Sequence, residues 1–120
     1  MESGYRGLTI YQRSYENAKR VHGMSLTFPS YEKYEMGGQL RRAAISIPLN
    51  IAEGYGKKDS GAELRRFLRM ALGSCNELLV LLDFSRDFHY ITKEQHGETA
   101  RESEEIARML SAWIQKLKTP

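Results

Sequence analysis

The feature that most constrains this chain is a ladder in its second half. Leu64, Leu68, Ala71, Cys75, Leu78, Leu82 and Ser85 recur at alternating intervals of four and three. That spacing is a helix seam of the kind that packs with a left-handed crossing in a bundle. A second apolar line, Phe67, Ser74 and Leu81, runs beside it, and a third passes through Leu72 and Leu79. A helix of a lone bundle has to bury only one stripe. The surplus predicts association with further copies and nominates Phe67, Leu72, Leu79 and Leu81 as the interface. Gly73–Ser74 makes a notch where a neighbouring helix can approach.

A second helix is written in Gln39 to Gly56. Leu40, Ala44, Ile47 and Ile51 keep one face, widened by Ala43 and Ile45. Pro48 lies inside this run. An interior proline removes a hydrogen bond and presses its ring toward the carbonyl four residues back. That residue is Ala44, next to Ala43, so the small side chains leave room for a kink at Pro48 rather than a break. Ser46 can offer its hydroxyl to a carbonyl one turn back. Asn50 and Glu53 share a face near the Ile47–Ile51 seam. With Ser46 they read as a structural polar cluster, satisfying groups freed by Pro48 and pairing with Arg42 or a later arginine. The sharper reading is a buried carboxylate doing acid–base work. Gly54 and Gly56 stop the helix.

The whole chain then reads as all-α, an antiparallel up-down-up-down four-helix bundle. The helices are expected at about residues 8–24, 31–54, 60–87 and 92–118. Residues 1–7 are a flexible N-terminus and 8–118 a single domain. In the first helix Leu8, Tyr11, Tyr15, Ala18 and Val21 or His22 follow helical spacing. Phe28, held extended by Pro29, plugs one end. Ser30 is the expected N-cap of helix two. Gly37–Gly38 inside that helix signals either close approach of another helix or a local irregularity. Asp59 or Ser60 caps helix three. Thr92 with Gln95 forms a capping box for helix four. Its inner face is Ser103, Ile106, Leu110, Trp113 and Leu117, extended by Met109 and Ile114.

Chemistry is sparse. His22, His89 and His96 fall on separate elements, so no metal site is expected. No HExxH, CxxC, Walker loop or GxSxG occurs. Cys75 sits in an apolar run and reads as a small buried hydrophobe. No catalytic residue and no cofactor is expected, and the chain is not read as an enzyme. No apolar run approaches a membrane span and the first residues lack an apolar signal core, so a cytoplasmic protein with no membrane partner is expected.

Net charge is +3, unevenly spread. Residues 41–69 hold seven basic side chains (Arg41, Arg42, Lys57, Lys58, Arg65, Arg66, Arg69) against three acidic ones (Glu53, Asp59, Glu63). Residues 70–91 hold one (Arg86) against three (Glu77, Asp83, Asp87). The seven basic residues form the candidate surface for RNA or DNA phosphates, and Tyr55 beside Lys57–Lys58 can stack on a base. The bland reading of the same residues is a solvated face with internal pairs such as Arg42–Glu53. Two functions follow. One is an oligomeric bundle that binds nucleic acid or a nucleic-acid-processing enzyme. The alternative is a protein–protein scaffold with no nucleic-acid contact.

The stretch R-R-A-A-I-S-I-P-x-N-I-A-E-G, Arg41 to Gly54, resembles the signature of the 23S ribosomal RNA intervening-sequence proteins. The likeness extends through Phe28–Pro29, Glu32, Phe67–Leu68, Ala71, Gly73–Ser74, Glu77–Leu78 and Met109–Leu110, covering about Leu8 to Lys118. It implies a four-helix bundle that assembles with itself, commonly as a homopentamer. A similar bundle is the accessory variability protein of diversity-generating retroelements, which binds nucleic acid and a reverse transcriptase. That protein lacks the S-I-P-x-N-I-A-E-G pattern, so its role enters by analogy alone.

Overall fold

In the computed structural model, which describes residues 3–117, the apolar ladders become four long helices and one short one. α1 spans Thr9–Ser25, α2 is one turn at Ser30–Lys33, α3 spans Met36–Gly56, α4 Gly61–Asp87 and α5 Lys93–Leu117. α3 packs on α1 and α4, and α5 packs on α4 and α1. Neighbours run antiparallel. Along α1 and α5, for example, Arg13 meets Glu102, Asn17 meets Ser103 and Met24 meets Thr99. The result is a four-helix bundle 48 Å long. Met1, Glu2 and the expected helix end at Lys118 lie outside the described residues.

The α4 ladder is buried as read: Leu64, Leu68, Ala71, Cys75, Leu78, Leu82 and Ser85 all face the core. Leu40, Ile47 and Ile51 of α3, Val21 of α1, and Ile106 and Leu110 of α5 complete it. α3 runs through Pro48 as one helix. Ser60 Oγ accepts from the Glu63 amide at 3.2 Å and caps α4. Thr92 and Gln95 exchange backbone–side-chain bonds at 2.9 and 3.0 Å, the reciprocal pair expected at the start of α5. α4 ends in a Schellman turn: Tyr90 N donates to Ser85 O at 2.8 Å, with His89 at φ 65° in the left-handed position usually held by glycine.

Four expectations are corrected. Helix two is not continuous from residue 31. It breaks after Lys33 and restarts at Met36, and Ser30 makes no capping bond. The freed Lys33 carbonyl accepts from Arg41 Nη2 at 3.1 Å, while Arg41 Nη1 donates to Ser25 Oγ at 2.8 Å. Gly37 leaves space for the Arg41 guanidinium, since a Cβ there would sit 3.3 Å from Nη1. Second, Gly4–Gly7, expected to be loose, form a 3-10 turn whose Tyr5 ring lies 4.9 Å from Tyr11. Third, α1 buries Ala18 and Val21 as expected but adds Ile10, Ser14, Asn17 and Met24, while Tyr11 is half-buried and Tyr15 is exposed. Asn17 Nδ2 donates to Ser103 Oγ at 3.0 Å, so α1 and α5 meet through a polar seam. Fourth, Trp113, expected on the inner face of α5, is only half-buried against the core, while Ile114, expected to extend that face, is buried.

The second apolar line of α4 is spent in part inside the bundle, where Leu81 is only 8% exposed. Phe67 is half-buried beside Gly54 of α3, Leu72 is half-buried against the core, and Leu79 is half-buried.

Two outcomes follow. A Cβ on Gly54 would lie 3.0 Å from Phe67 Cβ and 3.1 Å from Leu64 Cδ1. Overpacking costs about 1–3 kcal/mol and outweighs the roughly 1 kcal/mol helix-propensity gain. Gly54→Ala should lower the urea midpoint, and a raised midpoint would contradict this packing. Separately, Arg13 donates to both Glu102 oxygens at 2.9 and 2.6 Å. These bonds hold the Glu102 carboxyl below the usual carboxylate range against the opposing effect of burial. A depressed carboxylate stabilises above its unfolded pKa of about 4.3 and loses that contribution as pH falls through the lower folded value. Glu102→Gln should therefore lose less stability than wild type between about pH 5 and pH 2. Equal pH profiles would count against the pairing.

Candidate nucleic-acid interface

The seven basic residues read from the sequence separate into three kinds. Arg41 and Arg65 are structural. Arg41 ties α3 to Ser25 and Lys33, and Arg65 Nη1 donates to the Leu117 carbonyl at 2.8 Å, fastening α4 to the end of α5. Arg66 is paired with Glu63 at 3.0 and 3.2 Å, and that bond raises the guanidinium pKa and lowers the carboxyl pKa. Arg42, Lys57, Lys58 and Arg69 are exposed. No hydrogen bond or ion pair holds any of the four among the described residues.

The register of α3 on α4 decides which of these meet. Ser46 Oγ lies 2.8 Å from Ser74 Oγ, which places Arg69 opposite Ile51 and Arg65 opposite Tyr55. Arg42 lies about 14 Å further along, at 1.5 Å per residue. Arg65 faces α5, as its bond to Leu117 shows, and Phe67, two residues on, faces α3. The basic residues therefore form a collar around one end of the bundle rather than a strip along it.

Two residues that no local pattern marked join this end. Arg6 arrives with the 3-10 turn, whose Tyr5 shares a cleft with Gly56 and Lys57. Lys116 arrives with the last turn of α5, beside the Arg65–Leu117 bond. Among the described residues this end then holds Arg6, Lys57, Lys58, Arg65, Arg66, Arg69 and Lys116 against Glu53, Asp59 and Glu63. Aromatic rings sit among the cations. Lys58 Nζ is 4.4 Å from the Tyr55 ring centre, Arg66 Cζ 4.4 Å and Lys57 Nζ 5.8 Å from that of Phe67. Such contacts are worth about 0.5–1 kcal/mol each at exposed sites. The opposite end carries Glu32, Glu35, Asp83, Asp87 and Glu94 against Lys33, Arg86 and Lys93.

The polar cluster is partly assembled. Asn50 Nδ2 donates to Ser46 O at 2.8 Å and to Ser46 Oγ at 3.0 Å, and Ser46 joins Ser74 across to α4. The carbonyl that Pro48 leaves without a donor is Ala44's, and Asn50 reaches Ser46 instead. Glu53 is exposed and stands outside the cluster, making no bond to Arg42. An exposed carboxylate lacks the desolvation that acid–base work requires. Burial pushes the Cys75 thiol up to about 12. No group of three metal-ligating side chains converges among the described residues, and none of their helices is long and apolar enough to cross a membrane.

The family model described as 23S rRNA-intervening sequence protein matches residues 6–112. A crystal structure from Bacteroides thetaiotaomicron, of a protein with unknown function from the S23 ribosomal protein family, superposes with a TM-score of 0.81 at 29% identity. The match covers 88% of this chain and 95% of that one. No curated protein matches this chain.

The division of the arginines has a measurable consequence. Hydrogen bonds from a charged donor to part-buried partners contribute about 1.5–3 kcal/mol. Arg41→Ala should cost that much in urea unfolding. Arg42→Ala should stay within about 0.5 kcal/mol. Equal effects would show that the two side chains are not so differently employed.

Proposed function

Because the chain belongs to the 23S rRNA-intervening sequence protein family, we propose that it is a non-enzymatic, cytoplasmic homo-oligomer whose basic end engages nucleic-acid phosphates. Ring closure, with five copies in the form the family resemblance implies, would repeat that end around an axis. The observation that carries the reading is the convergence at one end of a 48 Å bundle of seven cations against three carboxylates. They come from the 3-10 turn, the α3–α4 loop, α4 and the end of α5. Arg42 stands apart as an outlying contact. Phosphate neutralisation releases counterions and needs no base readout, which suits a surface of exposed lysines and arginines. Tyr55 and Phe67 lie among the cations as platforms for unpaired bases. An enzyme acting on the same nucleic acid would meet the oligomer at this end.

A scaffold role has one observation of its own. Tyr31 and Tyr34, 72% and 78% exposed, stand at the acidic end away from the collar. A protein bound there would co-purify independently of salt.

The test is binding of single-stranded and duplex RNA and DNA over a salt series. Lys57→Glu with Lys58→Glu avoids the structural Arg65. It should weaken binding at least tenfold at low salt and reduce the slope of log affinity against log salt by about 1.5, the share of two phosphate contacts. Absence of low-salt binding in the wild type sinks the reading.

A further inference from the structure

Two apolar surfaces are left without a partner inside the chain. One is a groove on the outside of the α1–α3 pair. Tyr11 and Tyr15 of α1 and Ile45, Pro48, Leu49 and Ala52 of α3 line a cavity of about 370 Å³. Ile45 and Leu49, one turn apart and turned away from the core ladder, are 46% and 60% exposed. The other is a ridge on the outside of α4. Val80 and Phe84 are 53% and 48% exposed, and Phe88 continues the line one turn on, its ring 5.7 Å from that of Phe84. Contiguous apolar surface of this kind marks an interaction site.

Charge indicates what covers them. Lys19 and His22 belong to the groove, and Arg42 borders it on α3. The ridge is flanked by Glu77, Asp83 and Asp87, with Arg86 paired to both aspartates and the His96 ring 2.8 Å from Asp83, which leaves an excess of carboxylates. Groove against groove would set concave surface on concave surface and basic rim on basic rim. Ridge against ridge would oppose carboxylates. Ridge against groove matches shape and charge together.

We infer that the α4 ridge of one copy seats in the α1–α3 groove of the next; this rests on the homo-oligomeric reading above and names its interface. The contact is heterologous: each copy offers its ridge to one neighbour and its groove to the other. Lys58, Arg66 and Arg69 belong to neither surface, so the collar stays open on every copy.

Heterologous contacts can be tested by complementation. Leu49→Asp spoils the groove and leaves the ridge, and Phe84→Asp does the reverse. Both sites are exposed, and circular dichroism with a urea midpoint checks the fold. Ile45→Asp and Val80→Asp are the second pair if either first variant unfolds. Light scattering at tens of micromolar should give a single-chain mass for each variant alone. An equimolar mixture should give a two-chain mass and nothing larger, because one intact ridge meets one intact groove and the chain of contacts ends there. The double variant should remain single in every mixture. A single-chain wild type overturns the oligomer and this interface together. An oligomeric wild type with variants that keep its mass, or with a mixture that stays single-chain, overturns the ridge-and-groove contact alone.

Discussion

The close approach of α3 to α4 governs the rest of the molecule. Gly54 lies against Leu64 and Phe67 with no room for a Cβ, and eight residues earlier Ser46 meets Ser74 at 2.8 Å. Two contacts of this kind fix both the spacing and the register of a helix pair, since a slip of even one residue would drive the Phe67 side chain at a position with a Cβ. The register then determines that the α3–α4 loop, the Tyr5 turn and the end of α5 share one level. The basic end is a consequence of packing at the α3–α4 seam, not of any local run of lysines.

That end owes its potential to side chains. In an antiparallel bundle each helix macrodipole lies beside one of opposite sense, so the backbone contribution largely cancels. What remains is an excess of cations at one end and of carboxylates at the other. Of the exposed members, Lys57, Lys58 and Arg69 are in no ion pair among the described residues and Arg66 pairs with Glu63, whereas Arg41, Arg65 and Arg13 are each committed to a partner on another element. The chain thus uses arginine for structure where a forked donor can reach two groups. Lysine supplies the charge at the α3–α4 loop.

How much of this could be read in advance depended on whether the signal was local. The α4 ladder was legible because its seven positions repeat every three or four residues and all face one core. The caps at Ser60 and Thr92–Gln95 were legible because both partners lie three residues apart. α1 was misread because its buried face includes Ser14 and Asn17. Hydrophobic periodicity then pointed to Tyr11 and Tyr15, which line an outer groove. Arg41 and Arg65 looked like phosphate ligands because their partners are a hydroxyl and carbonyls supplied only by the folded chain. Arg6 and Lys116 were invisible as site residues, since the chain ends meet the loop only through the bundle. Leu81 and Leu72 looked surplus because α4 touches two neighbours at once and needs a wider apolar arc than a single stripe. The residues that do remain exposed, Val80 and Phe84, sit on the far side of that arc.

Separating an apolar contact between copies from an ionic contact with nucleic acid gives the two opposite responses to salt. Burial of Leu49 and Phe84 does not weaken as ionic strength rises, while counterion release does. Assembly can then persist under conditions that tune the ligand contact. The arithmetic favours such a division. On the proposed reading one collar would make only a few phosphate contacts, and a few contacts give weak, non-specific attachment at physiological salt. Copies held together would present their collars to the same strand at high effective concentration, so that their contributions would multiply as affinities. On this logic the proposed ridge-and-groove contact would make the modest charge of a single chain sufficient.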